Sequence, residues 1–517
     1  MREVTSTWCG RALCALLSGT AGLALGQVDK AYFDNGSTFI APKYVQSIAA
    51  TPAGYDLVGT GSSLVADGYP EVAVGSETDG FVRFYRNENL WDTNPAASFT
   101  QLFFNNNTVG DIDVFGDFAF ITADDAVTTR LRDIELVDMT GDTTPDLLVA
   151  ISYYAEVGGE DAEVGLVAHY KALDVGQSTF RYELFDYEVM ELPVTSLATA
   201  DLSQDGRIDI IVSCEDDETS TGVVDPARVF VLKNDLVGGN SGYLLRQSDE
   251  VLTNTAYPSY NVALGEFNLI TTGSLGGTGN SLDFVTFGGN NASGLRLGTG
   301  TGSGPFSFSV TSVTGTNCGS GNVGLSYGLQ PYGLDVEALI LFDPFATADQ
   351  SLATASDANT VQLLHNRPRF GTFYHLCYNG ASADRIDVSP NIPFSSPCSG
   401  TSGLPTLPHF GAYAASGNLN GDPFGDLVHV DPNNRNAAFL LGRGTPDATN
   451  SIMQFDDTSC DYFRLGYAPY AGVAFDRVMC ADLNLDGVDE VLITRHGDWT
   501  TNPTEQWRLV VYVNTTP

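Results

Sequence analysis

Hydrophobic and polar positions along this chain fall into short apolar runs, rich in alternation and β-branched residues, separated by clusters of Gly, Asp, Asn and Ser. No stretch sustains the period of an amphipathic helix. One clear set of runs is Ile134 to Asp138, Leu147 to Tyr153, Gly165 to Lys171 and Phe180 to Phe185; the next is Thr195 to Ala200, Ile208 to Ser213, Val229 to Lys233 and Tyr243 to Arg246. Each set reads as four strands. Self-comparison finds the same module again, a nine-residue loop leading into an apolar strand: DMTGDTTPDLLVA from 138, DLSQDGRIDIIVS from 201, NLNGDPFGDLVHV from 418 and DLNLDGVDEVLIT from 482. Worn copies start at 63, 275 and 343, so successive units lie 63 to 75 residues apart. A fixed period of that length marks a repeat architecture. Seven consecutive four-stranded units predict an all-β fold, a seven-bladed β-propeller of antiparallel blades in one domain over 27–517. The last unit has three strands, ending with Trp507 to Val513. Residues 28–50, ahead of the first repeat, are expected to supply its closing outer strand and so remove an open edge.

The nine-residue loops carry the candidate chemistry. Their first, third, fifth and ninth positions are Asp138, Thr140, Asp142 and Asp146; Asp201, Ser203, Asp205 and Asp209; Asn418, Asn420, Asp422 and Asp426; and Asp482, Asn484, Asp486 and Glu490. All are oxygen donors, and oxygens on alternate residues of a tight loop turn towards one point, as a hard cation such as Ca²⁺ requires. Gly206 and Gly487 at the sixth position suit a sharp bend with positive φ, where Thr143 and Pro423 stand in the other two loops. An EF-hand would need a Glu at the twelfth position, where this chain has Val212 and Ile493. The alternative is an Asp/Asn/Gly turn without metal; four copies in one register favour calcium, at about four structural sites. The worn loops, with Ser63, Val65, Asp67 and Glu71 in the first, are expected to be metal-free.

The segments ADLNLDGVDEVLI, ATADLSQDGRIDIIV and SGNLNGDPFGDLV, together with DGYPEVAVGSETDGFVRFYRN, resemble the FG-GAP/VCBS repeats of integrin-α-type β-propellers. The resemblance covers nearly all of 27–517. It implies calcium between the first and second strands of a blade, on the lower face, with ligands met on the opposite face. That fold serves adhesion receptors, lectins and some polysaccharide-active enzymes, so the resemblance names no ligand.

Composition narrows the partners. With 63 acidic and 24 basic side chains the formal net charge is −39, which makes nucleic acid and anionic membrane surfaces poor partners. Arg2 and Arg11 precede an apolar or small run from Ala12 to Leu25, and Ala24-Leu25-Gly26 offers a cleavage site, so residues 1–26 read as a signal peptide of a secreted protein. That run is shorter than the roughly 20 residues a membrane span needs, and no transmembrane anchor is expected. Cleavage leaves Cys214, Cys318, Cys377, Cys398, Cys460 and Cys480, an even number suited to disulfides. Cys377 with Cys398 and Cys460 with Cys480 each bracket one expected inter-strand connection. Sequons occur at Asn35, Asn106, Asn291 and Asn514.

For catalysis the sequence offers little. His169, His365, His375, His409, His429 and His496 lie outside any hydrolase or metalloprotease motif, and no glycine-rich phosphate loop opens a helix. Long connections at Asn105 to Leu131, Gly315 to Gly333 and Tyr378 to Gly411 are candidates for ligand contact, as are Trp499 and the Tyr153-Tyr154 pair. The expected function is an extracellular recognition or adhesion module for a protein or glycan. The alternatives are a carbohydrate-active lyase or hydrolase, or a structural surface component.

Overall fold

The computed structural model describes residues 37–52, 68–91, 97–102, 110–118, 128–157, 160–175, 180–202, 205–215 and 227–234, the strands between 244 and 387, and residues 413–430, 436–441, 462–464, 474–496 and 507–515, with a few single positions between. After an opening strand β1 (Ser37–Ile40), the first blade runs β2 (Val45–Ala50), β3 (Val72–Ser76), β4 (Phe81–Asn87) and β5 (Phe99–Gln101). A further strand, β6 (Asp111–Asp113), pairs with β4. The second blade is β7 (Arg130–Val137), β8 (Asp146–Val157), β9 (Glu160–Leu173) and β10 (Arg181–Met190). The third is β11 (Val194–Ala200), β12 (Asp209–Cys214), β15 (Arg228–Asn234) and β16 (Leu244–Thr253), with a small ribbon of β13 (Asp217–Glu218) and β14 (Val224–Asp225) between its middle strands.

Further along the chain, β17 (Phe267–Gly273), β18 (Asp283–Gly288), β19 (Gly294–Gly300) and β20 (Phe308–Ser312) form one sheet, followed by a ribbon of β21 (Thr314–Gly315) and β22 (Tyr327–Gly328). Another sheet joins β23 (Val336–Phe342), β24 (Ser351–Ser356), β25 (Thr360–Arg367) and β26 (Thr372–His375), with β27 (Arg385–Asp387) also on β25. The penultimate blade is β28 (Tyr413–Gly417), β29 (Asp426–Val430), β30 (Asn436–Leu440) and β31 (Tyr462–Arg464). The last is β32 (Ala474–Ala481), β33 (Glu490–His496) and β34 (Arg508–Tyr512), with β1 as its outer strand: Ser37 lies opposite Val511 and Ile40 opposite Arg508.

The architecture is an all-β propeller. Innermost strands pack side by side, β2 on β7, β7 on β11, β28 on β32, and β32 back on β2. The repeat predicts seven blades; side chains are described through most of four, the first, second, third and last. The worn loops at 275 and 343 lie outside the described residues.

Side-chain parity explains why the middle strands read as continuous apolar runs. In β8, Leu147, Val149 and Ile151 join Val82 and Phe84 in a core shared with the first blade, while Leu148 and Ala150 join Ile210, Val212 and Phe230 in one shared with the third. In β33, Leu492 packs with Val72 and Val74 of the first blade, and Val491 and Ile493 with Leu419 and Val428 of the penultimate one. A blade is a sheet buried on both faces, so both parities of its middle strands are mostly apolar.

Two sequence expectations change here, and one sequon proves to be buried. Cys480 is a free thiol, not half of a Cys460–Cys480 bridge: it sits on the innermost strand, where its Cβ lies 2.7 Å from the position a side chain on Gly417 would take. Cys460, Cys377, Cys398 and Cys318 lie outside the described residues, as do residues 1–36 with the expected signal peptide. Asn514 is buried, with its amide donated to the carbonyls of Leu419 (2.7 Å) and Asp489 (3.1 Å), so the folded chain does not present it as a glycosylation acceptor. The connection from Asn105 to Leu131 is not simply a loop: it contains β6 and a 3-10 turn at Phe115–Asp117, and Arg83 binds Asp111 through Nε (2.8 Å) and Nη2 (2.7 Å).

Candidate cation-binding loops

Each loop bridges the first and second strands of its blade, and each folds around its own carboxylates. Asp138 accepts the backbone N–H groups of Gly141 (2.7 Å), Asp142 (3.1 Å) and Thr143 (2.7 Å). Asp201 accepts those of Asp205 and Gly206, both at 3.0 Å, and Asp482 those of Asp486 (3.1 Å) and Gly487 (3.0 Å). At the fifth position Asp142, Asp205, Asp422 and Asp486 each accept the N–H two residues on, that of Thr144, Arg207, Phe424 and Val488. These are Asx turns, and they explain why short carboxylates rather than longer ones occupy those positions.

The ninth position behaves differently. Asp146, Asp209, Asp426 and Glu490 are fully buried. Asp146 accepts the N–H groups of Met139 (3.2 Å), Thr140 (3.1 Å) and Ala172 (3.1 Å), and the buried His169 places Nε2 3.2 Å from it. Asp209 accepts the N–H of Asn234 (3.0 Å), Asp426 that of Leu419 (2.7 Å) and Glu490 that of Leu483 (2.8 Å). This carboxylate ties the start of the loop, or the end of the third strand, to the start of the second. Burial pushes the Glu490 carboxyl up to about 8, partly offset by the Leu483 N–H, and pushes neighbouring Asp489 up to about 6.

The third position differs between loops. Asn484 donates to Asp486 (3.0 Å) and Glu490 (3.2 Å), and Asn420 donates to Asp422 (2.9 Å). Thr140 Oγ1 is enclosed and has no hydrogen-bond partner. Ser203 lies outside the described residues. Among the described residues, no three His, Cys, Asp or Glu side chains form a closed ligand cage. The donor chemistry still fits a hard cation: each loop presents oxygens from several residues, and in the second blade one of them is an enclosed hydroxyl that nothing in the protein satisfies.

Positive φ occurs at two loop positions rather than one. Gly206 (85°) and Gly487 (91°) bend the sixth position, but the fourth is also left-handed, at Gly141 (71°), Gly421 (77°) and Leu485 (60°). Thr143, where glycine is missing at the sixth position, keeps φ at 68°, a strained setting for a β-branched residue.

Sequence reasoning missed an asparagine at the end of the third strand. Asn87 Nδ2 donates to the carbonyl of Leu483 in the last blade (2.7 Å), Asn234 Nδ2 to Met139 in the second (2.7 Å), and Asn514 Nδ2 to Leu419 in the penultimate (2.7 Å). Each reaches the second residue of the neighbouring blade's loop. The signal was present in YRN, LKN and YVN at 85–87, 232–234 and 512–514; the second blade has Ala172 in that register.

Elsewhere, Phe118 and Phe120 meet Tyr153 and Tyr187 at centroid distances of 5.4 to 6.1 Å, leaving Phe120, Tyr154 and Tyr187 exposed. Trp499 lies outside the described residues, as do most of 315–333 and 378–411. No helix among the described residues is long and apolar enough to cross a membrane.

No known family profile matches the chain, and no curated protein matches it. Solved structures do align. Saccharomyces cerevisiae Sqt1 aligns at 9% identity over 95% of this chain and 100% of its own, with a TM-score of 0.38. The Dos1 propeller aligns at 8% identity over 93% and 95%, with a TM-score of 0.39. BBS1N, solved in complex with ARL6DN, aligns at 8% over 92% and 96%, with a TM-score of 0.37.

Proposed function

We propose that the chain is a secreted, calcium-stabilised seven-bladed propeller that acts as an extracellular recognition module for a protein or glycan. The blade count draws support from the contacts that continue between the third and penultimate blades, β11 on β17, β17 on β23 and β23 on β28. The observation that carries the metal reading is the shared oxygen-rich fold of the four loops, with the unsatisfied Thr140 hydroxyl inside one of them. Asp138, Thr140, Asp142 and Asp146 would hold one ion, and the corresponding residues of the other three loops would hold the rest. When bound, Ca²⁺ would add positive charge among the loop carboxylates and fix the entry to each second strand. The recognition reading rests on the FG-GAP/VCBS resemblance and on the exposed rings of Phe120, Tyr154 and Tyr187, which suit stacking on a sugar or a peptide.

Calcium content and thermal unfolding of the mature chain, with and without chelator, test the metal reading. About four bound ions and a large chelator-induced fall in Tm are expected. Asp205→Ala and Asp486→Ala should lose about 2 kcal/mol in saturating calcium and far less in chelator; equal losses in both conditions would overturn the assignment.

A further inference from the structure

The four loops differ in what stands behind the fifth position. In the second blade Lys171 places Nζ 3.3 Å from Asp142 Oδ2, and in the third Lys233 places Nζ 4.0 Å from Asp205 Oδ2. The two lysines share one register. Lys171 precedes Ala172, whose N–H binds Asp146 Oδ1 at 3.1 Å; Lys233 precedes Asn234, whose N–H binds Asp209 Oδ1 at 3.0 Å. Lys171 is held further by the ring of Phe185, 5.9 Å from Nζ. In the last blade the residue before Asn514 is Val513, and in the penultimate blade the residue after β30 is Leu441; both are buried. There the second oxygens of Asp486 and Asp422 receive only the neutral amides of Asn484 and Asn420. Among the described residues, Asp482, Asp486, Asp489 and Glu490 make no ion pair, so several carboxylates crowd together with no cation beside them.

We propose that Lys171 and Lys233 are resident counter-ions that rank the four loops, making the second and third weak cation sites and leaving the penultimate and last-blade loops as the tighter ones. This rests on the calcium reading above. An ammonium against the fifth-position carboxylate already supplies part of the charge a divalent ion would bring, and it repels an incoming ion across a few ångströms. A loop walled by Val513 has neither effect. The second and third blades are therefore built to hold together when calcium is scarce, whereas the last blade, which carries the joint between β1 and β34, depends on it.

Calorimetric titration of the full mature chain with calcium alone tests this. Wild type should show two affinity classes. Lys171→Met and Lys233→Met, which keep the apolar stems, should each tighten one weak site by about tenfold and flatten its salt dependence. Val513→Lys should move the last-blade site out of the tight class and leave the penultimate one in it; should that variant fail to fold, the methionine variants decide alone. Calcium binding to wild type with methionine variants unchanged within about twofold overturns this proposal and leaves the metal reading standing. No calcium heat and no calcium-dependent shift in Tm in any variant overturns both.

Discussion

The loops of the first and last blades share one register, but their residue types agree only at its end. The last keeps Asp482, Asn484, Asp486 and Glu490; the first has Ser63, Val65 and Asp67, yet retains Glu71 at the ninth position. Glu71 is fully buried, like Glu490, and accepts a backbone N–H, that of Leu57 at 3.0 Å, while its own N–H binds Thr51 Oγ1 at 3.0 Å. A loop can lose its cation-type residues and keep this carboxylate. The ninth position therefore serves the sheet, and the first, third and fifth serve the loop.

The largest test of that division is Glu71→Ala beside Glu490→Ala. Each strips a buried acceptor from backbone N–H groups and should cost about 3 kcal/mol in chelator, measured by denaturant unfolding. If Glu71→Ala were nearly neutral while Glu490→Ala was severe, the shared role would be wrong. The inter-blade amides come next. Asn87→Ala, Asn234→Ala and Asn514→Ala should each cost about 1–2 kcal/mol, because each leaves a buried carbonyl of the adjacent loop without its donor.

A half-buried carboxylate without backbone donors among the described residues sharpens the contrast. Glu135, on β7, is half-buried and accepts the Thr199 hydroxyl, with Asp133 nearby; burial first, then Asp133, pushes its carboxyl from 4.5 up to about 7. The folded state then holds a proton that the unfolded state releases, so this group's stabilisation is complete below about pH 4.5 and is lost as pH rises through 7. Glu135→Gln should match wild type at pH 4 and exceed it by about 1–2 kcal/mol at pH 8, with the discount that water reaches part of the residue. Thr143→Gly is expected to have the smallest effect. It relieves a left-handed β-branched residue in the second loop and should raise stability by about 0.5–1 kcal/mol, making that loop more like the last.

Much of this was legible in the sequence because propeller strands alternate between two apolar interfaces. The runs at 147–153 and 208–213 fall on β8 (Asp146–Val157) and β12 (Asp209–Cys214), and the loop register is visible in the recurrent Asp-x-x-x-Asp spacing. What the spacing does not carry is direction. Oxygens at alternate positions suggested a ring around one point, whereas Asp138, Asp201 and Asp482 first satisfy the N–H groups of their own turns. Inter-blade partners were equally hidden. Asp133 accepts from Ser47 on β2 (2.8 Å) and from Ser196 (3.1 Å) and Leu197 (3.0 Å) on β11, joining three blades through contacts that no local pattern records.

The seam between the first and last blades sets the order in which the molecule can be made. Asn87 binds Leu483 across 396 positions, and Arg477 binds Gln46 across 431. The entropy of closing so long a loop grows only slowly with length, but the contacts cannot exist until the last blade has been synthesised. Until then Val45, Val72, Val74 and Tyr85 have no last blade to cover them. The first blade to leave the ribosome is thus among the last to be finished, and a translation product truncated before Leu483 would expose that sticky flank for as long as it survived.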